Sequence, residues 1–288
     1  MSRLTLPNDL VSASWLAENI NHRELILLDA SYFMAPSTEG LKRDGETEWL
    51  QETIPGALFF DFDKKVCDQN SELPHMMPSE ALFQHEVQSL GINQDSALVV
   101  FDRLGIFSSP RVWWMFKSMG FHNVAVLDGG LNSWKVAGYP VIPGKPNDDL
   151  NTGDFVAQYQ PAYFADKHAV LEVANNQQSQ IVDARASNRF FAVVPEPRAG
   201  LRSGHMPTAK NLPFNDLLEN GKMRDIEQLK PIYTSLIEEN KNVIFSCGSG
   251  VTACILALGA SLCGYHDLTV YDGSWTEWGA DFDLPVVK

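Results

Sequence analysis

At 288 residues, with 44% hydrophobic and 20% charged side chains, the chain suits two domains of about 100–150 residues, each with a proper core. Its 22 basic and 36 acidic residues leave a net charge of −14, which argues against nucleic acid or an anionic membrane as the main partner. A small anionic substrate stays open, because a local nest of N–H groups and a few arginines can override the global field. Cys67, Cys247, Cys254 and Cys263 are too few and too unevenly spaced for a disulfide framework. No close Cys/His pairs occur, so no structural zinc is expected and a reducing compartment fits. Met1–Leu10 carries no targeting pattern and no stretch of about 18 apolar residues exists, so the expected location is the cytoplasm, with no membrane span.

Taken in order, residues 12–20 read as a capped helix with Trp15, Leu16 and Ile20 on one face. Leu25 to Leu28, ending at Asp29, is a buried parallel strand. Residues 34–52 are polar and irregular, a loop with one helical turn. Ile54-Pro55-Gly56-Ala57 is a turn leading through Leu58-Phe59-Phe60 to Asp61-Phe62-Asp63, and His75 lies in a loop pinned by Pro74 and Pro78. Helices are expected over 79–90, 109–119 and 131–136, with strands over 97–101 and 124–127. Pro110 suits the first turn of its helix.

The second half holds the most informative stretch. Val243 to Phe245 is an apolar strand, Ser246-Cys247 ends it, Gly248-Ser249-Gly250 follows, and Val251 to Leu262 reads as a helix. Glycines let successive N–H groups turn inward into an anion-binding nest, and the helix start adds unpaired donors. Cys247, in a loop between strand and helix, should therefore ionise more easily than a free cysteine. A buried, inert cysteine before a core helix is the plainer alternative. Upstream, a strand over Gln180 to Val182 leads to Asp183-Ala184-Arg185-Ala186-Ser187-Asn188-Arg189 and then Glu196-Pro197-Arg198. Two of these arginines could grip a carboxylate or sulfo group; alternatively, Arg185, Arg189 and Arg198 are surface or salt-bridge residues.

The two halves repeat one plan. Val99-Val100-Phe101-Asp102 matches Val243-Ile244-Phe245-Ser246, Asp128-Gly129 matches Asp272-Gly273, and Trp134 matches Trp278, all 144 residues apart. Leu28-Asp29-Ala30 also matches Val182-Asp183-Ala184, and Ile54-Pro55-Gly56-Ala57 matches Met206-Pro207-Thr208-Ala209. Alternating strands and helices make each half a small α/β domain with a mostly parallel sheet flanked by helices. The expected division is residues 1–140, a linker over 141–160, and residues 161–288. The same offset sets Arg103 opposite Cys247, so the first half carries the loop without the nucleophile.

Tandem α/β repeats with an active loop in the second alone, Cys247-Gly248-Ser249-Gly250-Val251-Thr252, together with Asp272-Gly273-Ser274-Trp275, Gly204-His205-Met206-Pro207, Ser109-Pro110-Arg111-Val112-Trp113-Trp114 and Leu127-Asp128-Gly129-Gly130-Leu131, resemble the rhodanese superfamily over nearly the whole chain. The thiosulfate-using branch typically carries arginine and lysine right after the cysteine. Gly248 and Ser249 match the neutral pattern of the mercaptopyruvate-using branch. The resemblance implies that Cys247 accepts sulfur as a persulfide and that Arg189 and Arg198 hold the donor. It further implies that Gly248, Gly250, Val251 and Thr252 shape the binding loop, and that Ser249 forms a relay with His75 and Asp63. Departures are Thr53 and Thr208, where histidine and glycine are usual, and Phe107 in place of a tyrosine found in some relatives.

The implied reaction needs no metal or organic cofactor. A small anionic sulfur donor would load Cys247, and a thiol (a thioredoxin-like protein or a low-molecular-weight thiol) or cyanide would unload it, giving ping-pong kinetics. A phosphatase on this fold would want an arginine where Ala253 stands. A non-catalytic binding module would usually lose the cysteine. A thiosulfate-preferring enzyme is the serious rival, opposed by the neutral pair. Cys254 and Cys263 read as core packing on the helix, Cys67 as a loop residue open to solvent, and the seven tryptophans as core and interface aromatics.

Overall fold

The computed structural model describes residues 3–34, 43–146, 151–238 and 241–288. The chain forms two compact units, one of Met1–Gln69, Pro78–Tyr159 and Asn220–Lys222, the other of Asn70–Met77, Gln160–Glu219 and Met223–Lys288. Each unit thus takes in a short piece of chain from the other half of the sequence.

The first unit is built on a five-stranded sheet whose spatial order is Leu10–Val11, Val124–Leu127, Ala97–Phe101, Leu25–Asp29 and Leu58–Phe59. Every described pairing in it is parallel. The middle strand Ala97–Phe101 is buried at every residue, which is why it reads as a continuous apolar run rather than an alternating one. Helices cover it. Ala13–Asn19 is capped by the Ser12 hydroxyl, which accepts the Trp15 N–H at 3.1 Å. Ser109–Ser118 has Pro110 in its first turn, where the missing N–H costs nothing. One face of the sheet buries Leu16, Leu27, Ile54, Val99, Leu127 and Trp134 together, each worth roughly 1.5–3 kcal/mol of transfer free energy.

Residues 34–52 hold more structure than one helical turn. Gly45–Gln51 is a seven-residue helix, capped by the Asp44 carboxylate, which accepts the Thr47 N–H at 2.9 Å. Residues 35–42 of that stretch lie outside the described residues. Within residues 141–160, Ile142 bridges Thr53, the Gly153 and Phe155 N–H groups bond Gln88 and Ile92, and the Phe155 ring is buried among Phe83, Phe116 and Phe121.

The second unit repeats the design. Its sheet runs Phe164–Ala165, Leu268–Tyr271, Val243–Ser246, Gln180–Asp183 and Lys210–Asn211 in space, again parallel throughout the described pairs. Ile181, Ile244, Met206, Tyr271, Trp275 and Trp278 form its main cluster. The helix Ala253–Leu262 is apolar on all sides, and residues 253–260 are buried, as expected of a helix without a polar face. It begins two residues later than the apolar run starts, so the loop after the strand spans 247–252. The Trp indoles confirm the repeat in detail: Trp134 donates to the Pro140 carbonyl at 2.7 Å and Trp278 to the Pro285 carbonyl at 2.8 Å. Gly56 and its counterpart Thr208 both adopt positive φ, 80° and 65°. The turn therefore demands the left-handed region in each half, and the threonine meets that demand under strain.

Candidate active site

The strand Val243–Ser246 stops pairing at Ser246, which sits opposite Asp183. Cys247 opens the loop, and Gly250 turns it at φ 74°. Cys247 is 1% exposed. Its backbone is held by the segment that follows the neighbouring strand Leu268–Tyr271. The Cys247 N–H donates to the Ser274 hydroxyl at 3.1 Å, and the Trp275 N–H donates to the Cys247 carbonyl at 3.0 Å. The Gly248 carbonyl accepts from the Thr276 N–H at 2.8 Å and from the Thr276 hydroxyl at 2.6 Å.

Ser274 does this at a backbone cost. Its φ is 49°, and its counterpart 144 residues earlier is Gly130 at 55°. A side chain in that region costs roughly 1–2 kcal/mol. The Ser274 hydroxyl offsets it by donating to the Tyr271 carbonyl at 2.8 Å while accepting from Cys247. A serine standing where the first repeat has a second glycine is the sequence signal for Ser274; Thr276 carries no such signal.

The equivalent loop of the first unit is filled from within. Asp102 is 1% exposed. Its carboxylate accepts the N–H groups of Leu104, Phe107, Ser108 and Ser109 at 2.9–3.0 Å, and the Ser109 hydroxyl at 2.7 Å. Ser246 replaces that carboxylate in the second repeat. The N–H groups of Gly248, Val251 and Thr252, counterparts of Leu104, Phe107 and Ser108, donate to no other described residue. The loop at Cys247 thus keeps open the donors that its sister loop spends on its own anion. Val251 and Thr252 are buried, as is Ser249 at 3% exposure. Arg103, at the position of the nucleophile, pairs with Asp29 at 3.5 Å and with the Glu52 carbonyl.

The three arginines have different surroundings. Arg185 is buried. It bonds both Asp183 oxygens at 2.7–3.1 Å, Glu196 at 3.0 Å and the Gly204 carbonyl at 2.9 Å, and its guanidinium stacks 4.1 Å from the Trp275 ring centre. It is an internal ion-pair residue. Arg189 is 22% exposed and bonds Glu196 at 2.5 and 3.3 Å. Its Nη2 lies 3.5 Å from where a Cβ on Gly248 would stand, which brings it to the nucleophile loop. Arg198 donates to the Thr276 hydroxyl at 2.9 Å, the same hydroxyl that holds Gly248.

His75 is buried at 3% exposure and takes a positive φ of 64°. Its segment, Asn70–Met77, belongs to the unit that contains Cys247, and the Met77 N–H donates to Asp272 at 2.8 Å, two residues before Ser274. Asp63 is half-buried in the other unit. Cys67 is not open to solvent: it is 7% exposed, and its thiol donates to the Asp63 carbonyl at 3.2 Å. Burial pushes that thiol's pKa up, with Asp63 adding to the effect. Cys254 is a core residue whose thiol reaches the Gly250 carbonyl at 3.4 Å. Among the described residues no cluster of metal-ligating side chains forms, and no helix is long and apolar enough to cross a membrane.

The rhodanese-like domain model matches this chain twice, over residues 12–137 and 166–281. The chain belongs to the rhodanese-like family. Among similar rhodanese-like proteins, 3-mercaptopyruvate sulfurtransferase of Mus musculus is 40% identical over 277 residues, covering 93% of this chain and 91% of that protein. The enzyme of the same name from Escherichia coli K12 is 39% identical, with 96% of each covered. Thiosulfate sulfurtransferase of Bos taurus is 41% identical over 280 residues, covering 93% and 91%. The crystal structure of SseA from Escherichia coli, a 3-mercaptopyruvate sulfotransferase, superposes with a TM-score of 0.82 at 36% identity, covering 93% of this chain and 99% of that one.

Proposed function

We propose that this rhodanese-like protein is a 3-mercaptopyruvate sulfurtransferase working through a persulfide on Cys247. Relatives named for either donor reach similar identity, 40% and 41%, so overall similarity does not choose between them. The observation that carries the reading is the neutral pair Gly248-Ser249 directly after Cys247, with Arg189 and Arg198 both linked to that loop, one beside Gly248 and one through Thr276.

In this reading the Cys247 thiolate attacks the donor's thiol sulfur. A sulfur–sulfur bond forms, the carbon–sulfur bond breaks, and its electron pair leaves on the pyruvate enolate. The thiol proton ends on the enolate carbon, giving pyruvate. Ser249 and His75 are the groups assigned to move it, and Asp63 is the third member assigned to that relay. Arg189 and Arg198 hold the carboxylate and favour charge on the carbonyl oxygen. The outer sulfur of the persulfide carries anionic character, which the open N–H groups of Gly248, Val251 and Thr252 suit. A thiolate (of a thioredoxin-like protein or a small thiol) or cyanide then attacks that sulfur and releases the Cys247 thiolate. The catalytic half of the sequence is residues 161–288, the stretch 141–159 expected as a linker packs with the first unit rather than joining two free domains, and the proposed location is the cytoplasm.

The test is sulfur transfer to cyanide from 3-mercaptopyruvate and from thiosulfate in parallel, with Cys247→Ser as control. Preference for mercaptopyruvate, with one pyruvate released per thiocyanate and both lost in the variant, is expected. Preference for thiosulfate would overturn the neutral-pair argument, and activity with neither donor would leave a binding module.

A further inference from the structure

The two sister loops differ in length by one residue. Seven residues lie between Phe101 and the helix start at Ser109, and six between Ser246 and the helix start at Ala253. Counting by 144 therefore sets Ser246 against Asp102 and Arg103 against Cys247, but the backbone bonds set Cys247 against Asp102. The Phe101 carbonyl accepts the Ala30 N–H, and the Ser246 carbonyl accepts the matching Ala184 N–H, both at 2.8 Å. The Asp102 carbonyl accepts the Leu131 N–H, and the Cys247 carbonyl accepts the matching Trp275 N–H, both at 3.0 Å. Arg103 is the extra residue, paired with Asp29.

Asp102 thus holds the nucleophile's place on the backbone, with a charge two bonds beyond its Cβ. One carboxylate oxygen, Oδ2, accepts the N–H groups of Phe107, Ser108 and Ser109 at 2.9–3.0 Å and the Ser109 hydroxyl at 2.7 Å. Oδ1 accepts the Leu104 N–H at 2.9 Å. Counted from the helix start, the three N–H groups on Oδ2 correspond to those of Val251, Thr252 and Ala253, which donate to no other described residue. The outer sulfur of a persulfide on Cys247 also lies two bonds beyond Cβ and also carries the charge.

We infer that Asp102 is a built-in substitute for that charged sulfur: the first unit is a complete cradle for a small anion of one charge, closed by the chain's own carboxylate. The persulfide reading names the sulfur, and the cradle stands without it. One chain then offers one open cradle, at Cys247, and removing the Asp102 carboxylate opens a second. Hydrogen bonds to a charged acceptor are the strong ones, so a filled cradle is the more stable one. The chain gives up that stability at Cys247 to leave room for transferable sulfur.

Calorimetric melts test this apart from sulfur transfer. Cys247→Asp fills the second cradle and is expected to melt about 2–4 °C above Cys247→Ser. Asp102→Ala, made in the Cys247→Asp background so that no other cradle is open, is expected to melt about 5 °C or more below that background. Sodium formate at 100 mM, against sodium chloride at the same ionic strength, is expected to restore at least half of the loss, as an anion that binds only the folded chain does. Acetamide, of similar shape without the charge, is expected to restore none. Formate acting no better than acetamide overturns the inference, and so does Cys247→Asp melting at or below Cys247→Ser. Where the double variant does not fold, the two Cys247 variants decide alone. The cyanide assay with Cys247 intact fails or succeeds independently of these melts.

Discussion

The Thr276 hydroxyl donates to the Gly248 carbonyl at 2.6 Å and accepts from Arg198 at 2.9 Å. One side chain thereby ties the residue after the nucleophile to an arginine assigned to the donor. The hydroxyl has a single proton, and its use on Gly248 leaves the lone pairs for the guanidinium.

Thr276→Val keeps the shape and removes both bonds. The expected result is a KM for mercaptopyruvate raised about tenfold, the equivalent of a hydrogen bond of ~1.4 kcal/mol, with kcat changed less. Thr276→Ser is expected to restore the parent KM. Steady-state kinetics of the pair against a thermal melt checks this, since a purely structural role would lower Tm without splitting KM from kcat.

Ser274 combines φ 49° with the acceptor for the Cys247 N–H. Ser274→Ala keeps the backbone strain and loses the bonds, for an expected loss of about 2–3 kcal/mol. Ser274→Gly also loses the bonds but relieves the strain, so it should lose less stability than alanine. Both variants should take up sulfur more slowly, because the nucleophile's N–H is left without its acceptor. Urea denaturation and the rate of persulfide formation by mass spectrometry measure the two effects.

Thr208 is an exposed threonine at φ 65°, where the first repeat has Gly56 at φ 80°. A β-branched residue there is strained, and glycine removes the strain at some entropic cost. Thr208→Gly is expected to stabilise by about 0.5–1 kcal/mol and leave donor kinetics unchanged. The reverse change, Gly56→Thr, should destabilise. Calorimetric melts of both variants decide the matter.

Burial pushes the Asp29 carboxyl up to about 6 from an ordinary 3.8, against opposing hydrogen bonds from Ser31 and the nearby Arg103 charge. The folded protein therefore holds this proton more tightly than the unfolded chain does. Stability from Asp29 is greatest below about pH 4 and falls as pH rises towards 6, by up to about 3 kcal/mol, then stays level. Asp29→Asn should flatten that part of the stability–pH curve. Denaturant unfolding of parent and variant between pH 4 and 7 tests it, and an unchanged slope would contradict the shift.

Much of this was legible in the chain. Central strands such as Ala97–Phe101 and Val243–Ser246 are buried on both faces, so they must be apolar throughout and announce themselves. The 144-residue offset made the repeat visible and set Arg103 opposite Cys247. The edge strands Leu10–Val11 and Phe164–Ala165 did not show, because two residues carry no periodicity. Cys67 sits in a polar stretch, and nothing local signals that its thiol is covered. Arg185 and Arg189 are the same residue type four positions apart, yet one is locked between two acids and the other reaches Gly248.

By itself the sequence determined the α/β class, the tandem repeat, the strand–loop–helix at Cys247 and the half that carries it. Those follow from local patterns: apolar run length, glycine placement and residue identity at a fixed offset. Only the tertiary structure decided which polar groups are spent and which stay open. It placed Asn70–Met77, with His75, in the unit of Cys247, set Ser274 and Thr276 on the nucleophile's backbone, and paired Arg189 with Glu196. Those are contacts between segments far apart in the chain or turned by unusual backbone angles, and a hydrogen bond or ion pair is defined by distance and direction, which residue order does not contain.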